Sequence, residues 1–569
     1  MGLEIVAVIV TIAILIATSI PVGLYMARVF SGRKTWLDPL FLPIERVALR
    51  LSMVDSDEEQ DWKAYATSLV ASNVFMWLAT FAVVMLQGVL LLNPDKVASM
   101  EPTLAFNTIS SFTSNTNLQH YSGETGLSYL SQMIAITFLQ FVTAATGMAA
   151  FVAIIRALGG NRLTKLGNFY VDATRAAVRV LLPLAILVAT ILIWQGTPMT
   201  FDGAATAKTL EGRKQTIARG PVAAEVAIKQ LGTNGGGFFG PNSSHPYENP
   251  TPISNLTETW SILIIPMGMV WTLGFMLNRR RLAVVIFATM LALYLPLTGF
   301  AVRQELRGTP GITAMGVDQS TGSMEGKEVR FGAALTALWA VSTTSTSNGS
   351  VNGMHDSLTS LGGLMPMIGM WLNNIFGGVG VGFINMLIFI IVTVFVTGMM
   401  IGRTPQFLGK KVEGKEMKLA SLALLLHPLL VLGGTALACA ILAATANPDA
   451  VLGWLHNPGA HGFSEMLYEF SSAAANNGSG FEGLGDNTPF WNIATGLAML
   501  FGRYIPIIAP LALAAALAAK PAAPEGSGSL RVDSATFGFV LLSVVVILGL
   551  LMFMPVAVLG PIAEFLAIH

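Results

Sequence analysis

Charge is scarce in this chain. Its 569 residues hold 32 Lys plus Arg and 32 Asp plus Glu, a balance of zero, while 53% are hydrophobic and only 11% charged. A soluble domain carries about a quarter charged residues, so this composition points to a polytopic membrane protein. The zero balance gives no sign of a nucleic-acid partner. Cysteine is nearly absent too. The lone Cys439 excludes both a disulfide framework and a cysteine metal site. Neither a GxxxxGK[ST] phosphate loop nor the Asp-Lys-Thr-Gly-Thr phosphorylation sequence of cation-pumping ATPases occurs anywhere. The apolar runs hold no Asp/Asp or Ser/His pair of the kind an intramembrane enzyme needs, so the chain is not expected to be catalytic.

Long apolar runs are what the sequence has in quantity. A helix needs roughly 20 such residues to cross a bilayer, and ten runs qualify: about 3–27, 66–94, 128–155, 172–198, 258–277, 282–301, 378–402, 419–446, 491–519 and 534–559. The first follows MGLE, with no basic stretch before it and no small-residue cleavage site, and reads as a retained span. Segments 28–65, 156–180, 278–281, 403–418 and 520–531 hold 21 Lys plus Arg in 95 residues. The alternate segments 95–126, 201–257, 302–332 and 447–490 hold 10 in 164. Basic residues mark the cytoplasmic side, so both termini are expected outside. No cytoplasmic segment exceeds 38 residues, which leaves no room for a nucleotide-binding domain.

Each outer segment contains a semi-apolar stretch too short to span, followed by small and polar residues: FNTISSFTSNTN (106–117), AAEVAIKQLGTNGGG (223–237), LTALWAVSTTSTSNGS (335–350) and YEFSSAAANNGSG (468–480). With Asn115, Asn234, Asn348 and Asn477 as markers, the spacings are 119, 114 and 129 residues, an internal repeat. Its unit is helix, re-entrant segment, helix. Two spans per unit keep all copies in one orientation, so they can surround an axis, unlike inverted repeats. The predicted fold is an all-α polytopic protein of ten transmembrane helices. Four parallel helix–pore-loop–helix repeats (66–155, 172–277, 282–402 and 419–519) surround a pseudo-fourfold pore. One extra helix lies at each end, within 1–65 (with a cytoplasmic linker) and 534–569.

Irregular backbone at membrane depth survives only where protein buries it or a wet cavity meets it. Gly and Asn tolerate the left-handed region better than other residues. One Gly/Asn cluster alone reads as a turn between helices. Four at matching positions, each after a short helix, can aim backbone carbonyls at a shared axis and replace a cation's hydration shell. The run LGTNGGGFFG (231–240) then has a purpose, because its glycines leave carbonyls unobstructed by side chains.

These segments also carry a resemblance. TSNTNLQHYSGE (113–124), GTNGGGFFGPNSSHPYENPTP (232–252), MEGKEVRFG (324–332), STSNGSVNGMHDS (345–357), MIGRTPQFLGKK (400–411) and SSAAANNGSGFEGL (471–484) resemble the potassium-binding A subunit of the bacterial Kdp potassium-transporting ATPase, in order and over nearly the whole chain. The resemblance implies a relation to Trk/Ktr-type potassium transporters. It implies a non-catalytic, multi-pass subunit of the bacterial cytoplasmic membrane that binds extracytoplasmic K+ and passes it through an intramembrane tunnel to a P-type ATPase B subunit. A C subunit and a small F subunit are the further partners, alongside membrane lipids, and K+ is the transported ion with no cofactor. Carried over by position, the filter is Asn115, Thr116 and Asn117; Thr233, Asn234 and Gly235; Ser347, Asn348 and Gly349; Asn476, Asn477 and Gly478. Gln119 and Gly236 stand beside it. Asn348 replaces a cysteine found in some members, and Asn373 stands where an acidic residue is expected. The competing reading is a stand-alone Trk/Ktr-like channel or symporter.

Several charges need a reason. Arg503 lies deep in the ninth apolar run, costly unless paired or hydrated; it reads either as snorkelling or as a fixed positive charge below the filter that turns a cation sideways. Arg403, Lys410 and Lys411 satisfy the charge rule or dock the ATPase subunit. Arg279, Arg280 and Arg281 set orientation and meet lipid headgroups. Asp449, Glu465, Glu469, Glu482 and Asp486, in a segment free of Lys and Arg, form either an ordinary loop or a cation-concentrating vestibule. Glu225, inside the second short helix, reads equally as part of such a vestibule or of a polar network stabilising the re-entrant turn. His355 and Asp356 lack further recognisable metal ligands, and His245 reads as a loop hydrogen-bonder.

Overall fold

In the computed structural model, residues 2–522 and 531–568 are described; the side chain of Asp449 and residues 523–530 of the last basic segment lie outside the described residues. Among the described residues ten helices are long and apolar enough to cross a membrane: Gly2–Phe30, Trp62–Leu86, Ser131–Gly159, Phe169–Gln195, Pro252–Met276, Arg280–Ala314, Val381–Ile401, Gly414–Ala444, Pro489–Ala518 and Ala535–Ile568. Four shorter helices sit between pairs of them: Pro102–Thr113, Val222–Leu231, Gly332–Ser345 and Gly459–Ala475. At 1.5 Å per residue none of these reaches across a bilayer. Each is almost entirely buried and runs C-terminally into a non-helical strand.

The burial of the spans sorts them by place. Ser131–Gly159 and Pro252–Met276, which follow the first two strands, are mostly buried, whereas Gly2–Phe30 and Ala535–Ile568 expose most of their surface. The first span is nonetheless fixed along the fifth by small residues. Thr272 Oγ1 donates to the Gly23 carbonyl at 3.1 Å, Trp271 Nε1 to Ser19 Oγ at 3.1 Å and Trp260 Nε1 to Thr18 Oγ1 at 3.0 Å. The last span packs on the third repeat, where Phe553 stacks on Trp371 at 5.3 Å between ring centroids.

Two elements were not legible as helices in the sequence. The linker 28–65 contains the amphipathic helix Asp38–Leu51. It exposes Leu40, Ile44, Val47 and Leu51, a stripe suited to the membrane interface. Its other face is pinned by ion pairs from Arg179 to Asp38 (2.5 Å) and Glu45 (3.4 Å), and from Arg175 to Glu45 (3.2 Å). The third repeat contains a half-helix, Ser360–Leu372, before the span that starts at Val381. Between them Asn373–Gly380 forms an irregular loop, with Asn373, Phe376, Gly377 and Gly380 in the left-handed region.

A Cβ on Gly23 would collide with the Gly268 carbonyl oxygen and the Trp271 Cβ. Gly23→Leu is therefore expected to cost about 1–3 kcal/mol by overpacking. The measurement is the melting temperature of the purified protein in detergent. An unchanged value would mean the first span is held by lipid, not by this crossing.

Candidate functional site

The four strands that leave the short helices share one backbone pattern. Left-handed φ recurs at the first and third residue of each: Asn115 (+63°) and Asn117 (+61°), Thr233 (+47°) and Gly235 (+88°), Ser347 (+50°) and Gly349 (+95°), Asn476 (+53°) and Gly478 (+107°). The middle residues Thr116, Asn234, Asn348 and Asn477 keep the ordinary hand. Alternating hand turns N–H groups to one side of a strand and carbonyl oxygens to the other. The equivalent of Asn234 in the first repeat is thus Thr116, one residue beyond the Asn115 marker, although all twelve triplet positions coincide with the strands.

The strands close into a ring. A Cβ on Gly235 would strike the Asn348 carbonyl oxygen, one on Gly349 that of Asn477, and one on Gly478 that of Thr116. Each third-position glycine therefore lies against the middle carbonyl of the next repeat, with the fourth repeat returning to the first. Asn117 takes the remaining corner, its Cβ beside Gly236.

Side chains fasten every junction. Asn115 Nδ2 donates to the carbonyls of Gly232 (3.2 Å) and Thr233 (2.9 Å), while its Oδ1 accepts from Asn234 Nδ2 (2.8 Å). Gln119 makes a two-way bond with Gly237 at 3.0 and 2.8 Å. Asn348 Nδ2 reaches the carbonyls of Lys229 and Gln230, Asn477 Nδ2 that of Thr343 (2.8 Å), and Asn476 Nδ2 the hydroxyl of Thr116 (2.9 Å). Several of these acceptors are last-turn carbonyls of a neighbouring short helix, which have no partner within their own helix. Thr233 is β-branched and poorly suited to φ +47°; its Oγ1 is held by the Val379 N–H at 2.9 Å. Among the described residues, the carbonyls of Thr116, Asn234, Asn348 and Asn477 accept no protein hydrogen bond. Four uncommitted carbonyl oxygens in a closed ring have the chemistry to coordinate a cation.

The family model for the potassium-transporting ATPase A subunit matches residues 9–566. The chain belongs to that family. A curated relative from Phocaeicola vulgatus, the potassium-transporting ATPase potassium-binding subunit, is 51% identical over 569 residues and covers all of both chains. The Flavobacterium johnsoniae protein of the same name is 50% identical over 573 residues, covering 99% of each. Among solved structures the potassium transporter TrkH from Vibrio parahaemolyticus is similar, with a TM-score of 0.51, 14% identity, and coverage of 89% of this chain and 98% of that one. At that identity the likeness concerns the fold alone.

Beneath the ring of this A subunit runs the loop Asn373–Gly380. An added Cβ on Gly378 would lie 3.5 Å from Ser347 Cβ and 3.7 Å from Thr233 Oγ1. Asn373 accepts from Ser347 Oγ (2.8 Å) and donates to the Ala475 carbonyl, so an amide serves as the joint between the third and fourth repeats. Arg503 sits at the same level. It is 3% exposed, and its guanidinium donates to the Thr143 carbonyl at 3.2 Å. Among the described residues no carboxylate lies within ion-pair reach of it. Neighbouring Gly502 packs on the Ala474 carbonyl, and Tyr504 reaches the Thr113 carbonyl at 3.5 Å, placing Arg503 below two short-helix ends.

Lys410 departs from the docking reading only. It is 2% exposed and caps the helix Ser131–Gly159 by donating to the carbonyls of Ala157 (3.1 Å) and Leu158 (3.0 Å), and burial lowers its ammonium to about 8. It offers no charge to a docking partner; Arg403 and Lys411 remain exposed. The acidic outer segment is also largely committed. Glu469 meets His120 at 3.0 Å, Glu465 accepts from Asn457 (2.8 Å) and Glu482 from the Asp356 N–H (3.0 Å). Asp356 and Glu564 clasp His461 at 2.9 and 3.0 Å, and His355 bonds Tyr468 at 2.7 Å. Glu225 is fully buried with neither carboxylate oxygen bonded.

His120 follows the first strand and ties it to the fourth short helix. Burial opposes its charge, but Asp486 and Glu469 outweigh that and raise the imidazole to about 9. A folded pKa above the ordinary 6.5 gives stability that is fully present below about pH 6.5 and lost as pH rises through 9. The stability gap between the unmodified protein and His120→Gln is therefore expected to shrink across pH 6.5–9, read by thermal melts at each pH. A constant gap would mean His120 acts by packing alone.

Proposed function

We propose that this chain binds extracytoplasmic K+ at the four-strand ring and is the ion-selecting subunit of an ATP-driven import complex. The observation that carries the reading is the closed ring of uncommitted carbonyls from Thr116, Asn234, Asn348 and Asn477. Such oxygens can replace a cation's water shell, and the short-helix C-termini beneath them add negative dipole ends. The relatives' name, potassium-transporting ATPase potassium-binding subunit, supplies the ion and the power source. With no phosphorylation sequence here, ATP hydrolysis belongs to a separate B subunit, and C and F subunits complete the complex. K+ is the cargo, and no cofactor is needed.

The membrane in this reading is the bacterial inner membrane, with both termini and the ring facing outward as the distribution of basic residues favours. Arg503 opposes a straight exit. A cavity of about 40 Å³ beside the loop, lined by Asn373, Asn385, His427 and Pro506, supports a sideways tunnel toward the B subunit. Exposed Arg403 and Lys411 are available to dock that subunit.

The test is rubidium uptake by bacteria lacking their own potassium uptake. Uptake is expected only when the chain is expressed with its ATPase subunits, and to be abolished by Gly235→Asp. Uptake by the chain alone would favour an autonomous channel or symporter. Arg503→Ala is expected to leak ion or to uncouple ATP hydrolysis from transport; unchanged coupling would remove the role given to that charge.

A further inference from the structure

The second strand is held differently from the other three. Behind it lies a fully buried lysine, Lys229, on the short helix Val222–Leu231. Its ammonium donates to Asn242 Oδ1 (2.7 Å) and Ser243 Oγ (2.7 Å) and pairs with Glu248. Asn242 Nδ2 in turn donates to the carbonyl of Gly235 at 2.6 Å. An ammonium can only donate, so it dictates which end of the Asn242 amide faces it. The N–H end must then face Gly235. Glu248 closes the circuit by accepting from the Phe239 N–H at 2.9 Å. The Lys229 carbonyl itself accepts from the N–H groups of Asn234 (2.8 Å) and Gly235 (3.1 Å). One residue thus fixes the second strand at two of its donors and, through Asn242, at an acceptor.

The loop 237–249 is the strap that makes this possible. His245 stacks on Phe239 at 3.8 Å, and Arg330 from the third repeat donates to the Ser244 and Asn249 carbonyls at 2.7 and 2.8 Å. A Cβ on Gly237 would run into Glu248 and Asn242. Among the described residues, no corresponding amide holds the third-position carbonyls of Asn117, Gly349 or Gly478.

We propose that the Lys229–Asn242–Glu248 relay is a specificity-determining device of the ion site: it locks the Gly235 carbonyl so that the second strand cannot adjust to a smaller cation. Lys229 and Asn242 are positioning residues that act through Gly235, and the inference rests on the ring being the ion site. A strand pinned at Gly235 holds the adjoining ring carbonyl of Asn234 at its distance from the axis, whereas a released strand can let that carbonyl close on Na+. Releasing it should weaken K+ binding and narrow the preference for K+ over Na+.

The experiment uses the assembled complex with its ATPase subunits, measuring K+-stimulated ATP hydrolysis and competition by Na+. Asn242→Asp keeps the size but places an oxygen against the Gly235 carbonyl. It is expected to raise KM for K+ about tenfold, the scale of one buried amide–carbonyl hydrogen bond, with kcat within about twofold. The same variant should let Na+ compete at lower concentration. Asn242→Ala removes the donor without repulsion and carries the test if Asn242→Asp does not assemble. A shift in KM and Na+ competition together supports the relay. Unchanged KM and Na+ competition in an assembled complex overturns it, as does a fall in kcat alone. Gly235→Asp measured alongside separates the two readings: if it too leaves KM unmoved, the ring itself is not the ion site.

Discussion

The rest of the structure depends on holding four irregular strands in a closed ring while, among the described residues, the carbonyl oxygens of Thr116, Asn234, Asn348 and Asn477 stay uncommitted. A buried peptide group without a partner costs several kcal/mol, and a strand of alternating hand cannot bond to itself as a helix does. Each of the four strands is therefore completed by its neighbour. Asn115 serves the second repeat, Asn348 the second from the third, Asn477 the third from the fourth, and Asn476 closes on the first. The middle N–H of each strand bonds back to its own short helix, at Ser111, Lys229, Thr343 and Ser472, and the neighbour's amide closes the junction. That dependence explains why the site exists only as a ring, and why the first and last spans, which contribute nothing to a junction, remain peripheral.

The four copies are alike in trace and unlike in support. The first strand leans on Gln119 and His120, the third on the Asn373 loop, the fourth on Met499 and Thr116. The second has a buried ion pair. Its glycine run, which the sequence explains only as freedom for carbonyls, has three separate causes. Gly235 admits the Asn348 carbonyl, Gly236 makes room for Phe112 and Asn117, and Gly237 for Glu248 and Asn242. Three adjacent positions are glycine because three different neighbours approach the backbone there.

Much of the architecture was legible because it is written in run length and repetition. Ten long apolar runs and four short ones followed by Gly and Asn suffice to name the helices and the repeat. The misread register at Asn115 has a simple cause: the first strand reads Asn-Thr-Asn, and residue identity points to either end, whereas φ singles out Thr116. The half-helix Ser360–Leu372 escaped because its 13 residues are too few to span and Pro366 interrupts them. Asn-Asn followed by Gly-Gly at 373–378 was the available signal for a broken helix. Lys410 illustrates a limit of charge counting. Its position obeys the positive-inside rule, but only contacts reveal that its ammonium is spent on two helix-end carbonyls.

Placement of charge along the axis separates a binding subunit from an open pore. Around the short helices several basic and acidic groups are paired: His120 with Glu469, Lys229 with Glu248, Lys327 with Glu305. Matched pairs leave little field, so attraction near the ring comes from carbonyls and helix ends. Below it the sign reverses, because among the described residues no carboxylate pairs with the buried Arg503, and the loop Asn373–Gly380 lies against the strands. On the function proposed above, a cation moving inward would pass from an oxygen-lined minimum toward a low-dielectric region holding a fixed positive charge, where repulsion is strongest. Such a profile retains an ion and does not conduct it. On that same proposed function, transport would draw its work from outside this chain, and the exit would lead away from Arg503, along the side where Asn385 and His427 line a cavity.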